Sequence, residues 1–274
     1  MNMTIEIRRL TETSKEEIYQ AFTEAFQNYV IPIVFNQEAT LARWELAGVR
    51  YDLSFGAFID SRLVAFVLHT SSDKTLYNFG TGVVPEYRGR HLIELIYQQI
   101  EKIPDFNSYL LEVIQENTKA YHLYKKLGFI ESRKLHSHQG QLTIEVPEDT
   151  ALNYSILKLS YDDELSKIQL FNPSFENAKV TTLKNPEFYE RHEIRDDSEL
   201  LAYAIYCPTQ LGLKEVGAKD DYEKNLDRLF LKMKLNHERL RIMNIDEKAQ
   251  SFHQYLTTRG LFKFVTQYEM IKKP

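Results

Sequence analysis

The chain has 274 residues, 43% of them hydrophobic and 27% charged, with a net charge of −5. That length suits two domains and a sizeable core without disulfide or metal staples, and the acidic balance argues against a general nucleic-acid binder, which needs a basic face. A lone cysteine, Cys207 in an apolar run, suits a reducing cytosol, and no apolar run is long enough for a membrane span. The expectation is a cytoplasmic protein.

In chain order, Ile5–Thr11 alternates apolar and polar residues as a half-buried strand does. Ser14 with Glu17 forms a capping box that opens a helix, and residues 37–49 make a second helix. Residues 53–60 and 62–70 are two β-branched and aromatic runs joined by a short polar turn, a hairpin. Residues 75–84 continue as a strand up to Pro85. Leu92, Ile93, Leu95, Ile96 and Ile100 then trace one helix face. Residues 108–115 form a short strand, and 117–128 a helix ended by Gly128. Residues 129–146 are expected as strands of an edge hairpin. This is an α/β chain with one mixed sheet and helices on both faces.

A polar stretch at 146–153 divides the chain into expected domains 1–148 and 149–274. Beyond it the order of elements recurs, down to a shared helix–Gly–Phe–strand ending at Gly128-Phe129 and near Gly260.

Two stretches carry chemistry. Between Gly80 and Ile100 a strand ends at a proline, a turn with Arg88-Gly89-Arg90 follows, and a helix begins at once. A helix N-terminus offers unsatisfied N–H groups and a positive dipole end, so the turn reads as an anion cradle. Gly89 allows close backbone approach, while Arg88 and Arg90 supply fork-shaped donors. Pro85 removes a donor and predicts a gap in the sheet that admits a narrow, extended thiol arm. The alternative is a plain strand–turn–helix with surface arginines. In the second stretch Asn117 and Tyr124 lie seven residues apart, so they share a helix face. Asn117 either binds a cofactor or caps the helix; Tyr124 either protonates a leaving thiolate or packs.

Together these stretches resemble the GNAT-type N-acetyltransferases. The family's V-x-P-x-x-R-G-x-G-x-G/A motif is met at Val83-Val84-Pro85-Glu86-Tyr87-Arg88-Gly89-Arg90-His91-Leu92-Ile93, and its N-x-x-A-x-x-x-Y-x-x-x-G-F motif at Asn117, Ala120, Tyr124, Gly128 and Phe129. The resemblance, over roughly residues 1–146, implies a GNAT-like fold with acetyl-CoA as co-substrate and no metal. Val83 would pair with the pantetheine arm, and a strand amide near Val84 would face the thioester oxygen. The amides of Arg88, Gly89, Arg90, His91, Leu92 and Ile93 would hold the pyrophosphate, and Asn117 would bind a polar backbone group of the cofactor. Tyr124 would be the general acid. Glu112, the best carboxylate nearby, is the candidate base, its pKa raised by burial; the alternative is a structural residue paired with a buried partner.

His91 and Ile93 depart from the family's small residues, and their side chains are expected to narrow the diphosphate approach. The C-terminal half has no such loop, and its Asp220, Asp221 and Glu223 would repel a diphosphate. It is expected to be a second, smaller, degenerate GNAT-like domain that shapes the substrate pocket or makes a homodimer contact.

The reading is therefore an acetyl-CoA-dependent N-acetyltransferase acting on a primary amine of a small molecule or peptide, with neither nucleic acid nor membrane as partner. Aromatic residues Tyr29, Phe35 and Trp44 are candidates for the acceptor pocket. A non-catalytic acyl-CoA-binding module is the alternative, and a nucleotide-binding protein a more distant one. His136 and His138 are expected on the surface, without metal-ligand spacing.

Overall fold

The computed structural model describes residues 4–27, 29–144, 152–234 and 240–273. Its elements run β1 (Ile5–Arg9), α1 (Lys15–Phe26), α2 (Gln37–Leu46), β2 (Phe55–Ile59), β3 (Arg62–Ser72), β4 (Thr75–Val83), α3 (Leu92–Ile100), β5 (Ser108–Ile114), α4 (Thr118–Lys126) and β6 (Ile130–Gly140). They continue β7 (Asn153–Lys158), α5 (Asp163–Ile168), α6 (Lys179–Thr182), β8 (Glu190–Asp196), β9 (Glu199–Cys207), β10 (Gly212–Ala218), α7 (Tyr222–Lys232), β11 (Leu240–Asp246), α8 (Gln250–Thr258) and β12 (Leu261–Lys272). None of the described helices is long and apolar enough to cross a membrane.

The chain divides into two compact units, Met1–Ser132 with Glu269–Pro274, and Arg133–Tyr268. This division falls inside β6 and β12. The sequence break at 148/149 lies in a segment, 145–151, outside the described residues.

In the first unit the strand order is β1-β2-β3-β4-β5, antiparallel up to β4 and parallel between β4 and β5. The Ser14 hydroxyl caps α1 by accepting from the Glu17 amide at 3.1 Å, as the capping box requires. One face of this sheet carries α1 and α2, packed through Ile18, Ala21, Ala25 and Trp44 onto Phe58, Leu63, Phe66 and Leu68. Trp44 is thus a core residue, 2% exposed, and not a pocket wall. The contact needs a glycine at position 82, where a Cβ would come within 2.9 Å of the Ala25 Cβ and 2.5 Å of the Phe66 ring. α3 buries Leu92, Ile93, Ile96, Tyr97 and Ile100.

In the second unit the order runs β6-β11-β10-β9-β8-β7. β6 is therefore not the edge hairpin expected: residues 135–140 pair with β11 from Leu240 to Asp246, and 141–144 are not strand. Interior placement also buries His138, which donates from Nδ1 to the Leu261 carbonyl (3.2 Å) and meets His253 Nδ1 at 3.0 Å through Nε2. The surface assignment of His138 is corrected accordingly; its neighbour His136 is half-buried, 3.0 Å from the Thr266 hydroxyl. Alternation along a strand does not say which face a second layer covers.

Candidate active site

The site is built around a break in β-pairing. β4 pairs with β5 from Thr75↔Ser108 to Asn78↔Leu111, and the described pairing stops there while both strands continue. On its other side β4 stays paired with β3 to Val83, with one extra residue, Phe79, bulged between His69↔Asn78 and Leu68↔Gly80. A bulge bends and twists its strand, which here swings β4 away from β5.

Direction along β4 follows from its hydrogen bonds. The Val84 amide donates to the Val64 carbonyl at 2.9 Å, so position 84 is turned to β3. Successive residues of a strand point their N–H and C=O to opposite edges, so those of Thr81 and Val83 are turned into the gap. Val84 is therefore corrected as a donor to a bound arm, because its N–H is spent in the sheet. The Val83 N–H is the neighbouring one turned to the gap.

Register also separates the two proton-transfer candidates. Asn78 lies beside Leu111, and the bulge brings Thr81 onto the same face. Glu112, one residue past Leu111, points to the opposite face. Tyr124 belongs to the Asn78–Thr81 side. The Asn78 amide donates to the Thr81 hydroxyl (2.8 Å) and the Tyr97 phenol (2.9 Å), and Thr81 donates back to Asn78 Oδ1 at 3.1 Å. Tyr124, 6% exposed, hydrogen-bonds to both Thr81 and Asn78, and its ring meets that of Tyr97 at 6.5 Å, edge to face. Tyr29 completes the group through a hydrogen bond to the Asn117 side chain. Asn117 itself caps α4, its Oδ1 accepting the Ala120 amide at 3.2 Å. The capping reading of Asn117 thus holds, and Tyr29 is an additional partner.

Burial pushes the Tyr124 phenol up to about 12, against the lowering effect of its Thr81 and Asn78 hydrogen bonds. Burial likewise raises Tyr29 and Tyr97. All three phenols keep their protons at neutral pH. A group whose pKa is raised in the folded state contributes stability below its unfolded value and loses it as pH rises through the folded one. We therefore expect the first unit to weaken between pH 10.0 and about 12. Alkaline denaturation of wild type and Tyr124→Phe checks this: the variant should lose less stability over that window.

The turn after β4 departs from the simple cradle. Arg88 donates from Nε to the Val83 carbonyl (3.2 Å) and from a terminal nitrogen to the Ala25 carbonyl (2.8 Å). Its fork staples the turn to the strand end and to α1, so it is corrected from a phosphate fork to a clamp. Arg90 is exposed, its guanidinium 5.2 Å from the Tyr87 ring centre. Gly89 adopts φ +76°, and a Cβ there would meet nothing within 4 Å, so the approach to the turn is open.

His91 is the N-cap of α3 with φ 57°, the left-handed conformation for which the family's glycine is suited. Its side chain makes no capping bond and turns outward, 70% exposed, with Nδ1 2.8 Å from Glu94 Oε1. Ile93 is 3% exposed in the core, so its side chain does not narrow the diphosphate approach. That expectation fails because the helix turns position 93 inward. The obstacle is instead Glu94, in the first turn of α3. Burial would raise its carboxyl, yet bonds from His91, its own backbone amide and Lys126 (3.4 Å) hold it below the usual carboxylate range. It is an anion where a diphosphate would sit. One charge at a helix N-terminus is worth about 0.3–1 kcal/mol. Glu94→Gln should therefore tighten coenzyme A roughly two- to fivefold at low salt, read by calorimetric titration. Weaker binding would place the diphosphate elsewhere.

Residues 15–129 match the family model described as the acetyltransferase (GNAT) family. These residues form a GNAT acetyltransferase domain. The chain resembles a GCN5-related N-acetyltransferase of Sphaerobacter thermophilus, at 12% identity over 98% of this chain and 95% of that one (TM-score 0.70). It also resembles a tandem GNAT protein from the clavulanic acid biosynthesis pathway, at 9% identity over 98% of each chain (TM-score 0.64). A third likeness is a GCN5-related N-acetyltransferase of Anabaena variabilis, at 11% identity over 98% and 73% (TM-score 0.57). At such identities the likeness is one of fold. No curated protein gives a significant match.

The element series that follows β3, β4–α3–β5–α4–β6, recurs after β9 as β10–α7–β11–α8–β12. Among the described residues no group of three or more His, Cys, Asp or Glu is placed to hold a metal ion. The partners that sequence reasoning missed are Tyr97 and the bulge at Phe79. Neither carries a local signal, since both depend on how α3 and β3 meet β4.

Proposed function

We propose that the chain is an acetyl-CoA-dependent N-acetyltransferase whose site is the β4–β5 gap of the first unit. The observation that carries this reading is the gap itself. It opens directly after Asn78↔Leu111, receives the N–H of Val83, and has the protonated phenol of Tyr124 on one face. A narrow polar slot with the Val83 N–H turned into it fits an amide-bearing extended arm. At its end the first-turn amides of α3, among them Leu92 and Ile93, have no intrahelical acceptors and suit a diphosphate, with Gly89 leaving room and Arg90 close by.

Acetyl-CoA would supply an activated acetyl thioester. The chain's own residues then divide the work. Val83 N–H is the donor for charge developing on an acyl oxygen. Tyr124 holds its proton on the phenolic oxygen, ready for a departing thiolate, with Asn78 and Thr81 fixing its direction. Glu112, on the opposite face, is the proposed acceptor for the amine's proton. Acid and base would thus work from the two faces of the sheet. The acceptor is proposed to be a primary amine of a small molecule or peptide.

The second unit is proposed as a degenerate, non-catalytic copy that serves a homodimer contact. A cytoplasmic setting is proposed from the single cysteine, Cys207, which is buried and has no second cysteine to pair with. Retention of His91 in a left-handed conformation and of Glu94 at the helix start favours one alternative, an acyl-CoA-binding module without turnover. Thiol release from acetyl-CoA with a panel of amines tests the reading. Coenzyme A binding with no amine-dependent thiol release from any of them would leave the alternative.

A further inference from the structure

The second unit repeats the strand break of the first. Among the described residues β10 pairs with β11 at Gly212↔Arg241 and Leu213↔Ile242, and Lys214 bulges next, just as Phe79 follows Asn78. The Lys219 amide donates to the Leu201 carbonyl at 2.8 Å, so Val216 and Ala218 are turned away from β9, into the gap. They stand where Thr81 and Val83 stand in the first unit.

Here, however, the gap is filled. α5 ends at Ile168 and the chain turns straight in. Gln169 forms an antiparallel bridge with Gly217, and the Leu170 amide donates to the Val216 carbonyl at 3.2 Å. On the other rim β11 is bulged between Ile242 and Ile245, where the Asn244 amide goes to Ser137 Oγ (3.0 Å) on β6. The Asn177 side chain donates to the Met243 carbonyl at 2.8 Å. Between these anchors Phe171, 6% exposed, stacks on Phe252 of α8 at 5.6 Å and 15°. Arg133 holds the Asn172 and Pro173 carbonyls at 2.8 and 2.9 Å while bound to Asp246 at 2.8 Å. Gly217 is where the fit is closest: a Cβ would lie 2.7 Å from the Ile168 carbonyl oxygen. The neighbouring cavity, lined by Leu170, Tyr222 and Phe252 among others, is ≈ 200 Å³, below the roughly 300–1,000 Å³ of small-molecule sites.

We propose that residues Gln169–Asn177 are a built-in occupant of the second unit's thiol-arm slot, so that the chain offers one acyl-CoA site, in the first unit. The segment does with its own backbone and one carboxamide what an extended amide-bearing arm would do, bonding a backbone carbonyl on each of the two strands, Val216 on β10 and Met243 on β11. The loop after β10 agrees. Only Asp220 and Asp221 separate Lys219 from α7, whereas the turn with Arg88-Gly89-Arg90 separates Val84 from α3. A slot filled at the core and lacking its anion turn has become a structural joint.

The proposal rests on the first unit's proposed slot for its ligand, and one experiment separates the two. The full wild-type chain is titrated with coenzyme A by calorimetry, and backbone hydrogen exchange is followed with and without it. The expected result is one site per chain. Coenzyme A slows exchange in 79–93 and leaves 169–177 unchanged, with Leu170 already as protected as β10. Two sites, or coenzyme A speeding exchange in 169–177, would overturn the proposal. Should coenzyme A not bind, the first-unit reading fails, and the exchange of 169–177 alone decides. Protection matching β10 keeps the occupant, and exchange like an exposed loop removes it.

Discussion

Replacing Tyr124 with phenylalanine is expected to lower kcat by about 10²–10⁴-fold, the usual worth of a positioned general acid, and to leave coenzyme A affinity unchanged. The ring is the part that packs, against Tyr97 at 6.5 Å and Phe129 at 5.8 Å, and phenylalanine keeps it. Only the hydroxyl is lost, and with it the hydrogen bonds to Thr81 and Asn78. Those two side chains still satisfy each other, so the cost in folding should stay near the net worth of a hydrogen bond, about 1 kcal/mol. A phenol raised to about 12 also predicts that no alkaline limb of the rate profile below that pH belongs to this residue. Steady-state kinetics with titration of the same preparation checks both. An unchanged kcat would reduce Tyr124 to a packing residue.

Arg88→Ala is expected to lower coenzyme A affinity by about 10- to 100-fold, for a reason other than lost charge. The guanidinium bonds to the Val83 and Ala25 carbonyls at 3.2 and 2.8 Å hold the turn in place before any ligand arrives. Hydrogen bonds from charged groups are worth about 1.5–3 kcal/mol, and their loss leaves the turn to be ordered at the moment of binding. A direct phosphate contact would show a loss that shrinks as salt rises; a clamp predicts a loss that persists, with a lowered melting temperature. Lysine at 88 should not rescue, because a point charge cannot span two carbonyls as the planar fork does. Full rescue by Arg88→Lys would return the residue to the phosphate.

The GNAT domain was legible because both of its motifs are local. Val83 to Ile93 and Asn117 to Phe129 each place their residues on one strand–turn–helix or one helix, where spacing fixes geometry. What escaped depends on tertiary context. Arg88 was legible as a phosphate fork from its neighbours in the chain, yet its partner at Ala25 lies 63 residues away. Ile93 looked like an obstruction until the phase of α3 turned it into the core. Val84 and Val83 are indistinguishable in sequence; only the Val64 carbonyl tells which faces the gap. His138 alternates as a surface residue would, but a second layer covers that face. The segment filling the second unit's gap has no motif at all. Its order of elements was readable as a repeat, while its occupant is defined by contacts with Val216 and Met243, both far along the chain.

The central claim is that the β4–β5 gap of the first unit takes an extended thiol arm. The most direct measurement is a calorimetric titration of the full chain with coenzyme A beside adenosine 3′,5′-bisphosphate, which lacks both the diphosphate and the arm, and dephospho-coenzyme A, which keeps them. The account predicts that dephospho-coenzyme A retains most of coenzyme A's affinity and that adenosine bisphosphate loses it, with hydrogen exchange slowed at Thr81 and Val83 only by ligands carrying the arm. Equal binding of adenosine bisphosphate, with no slowing in β4, would contradict it and make the turn after β4 a nucleotide site.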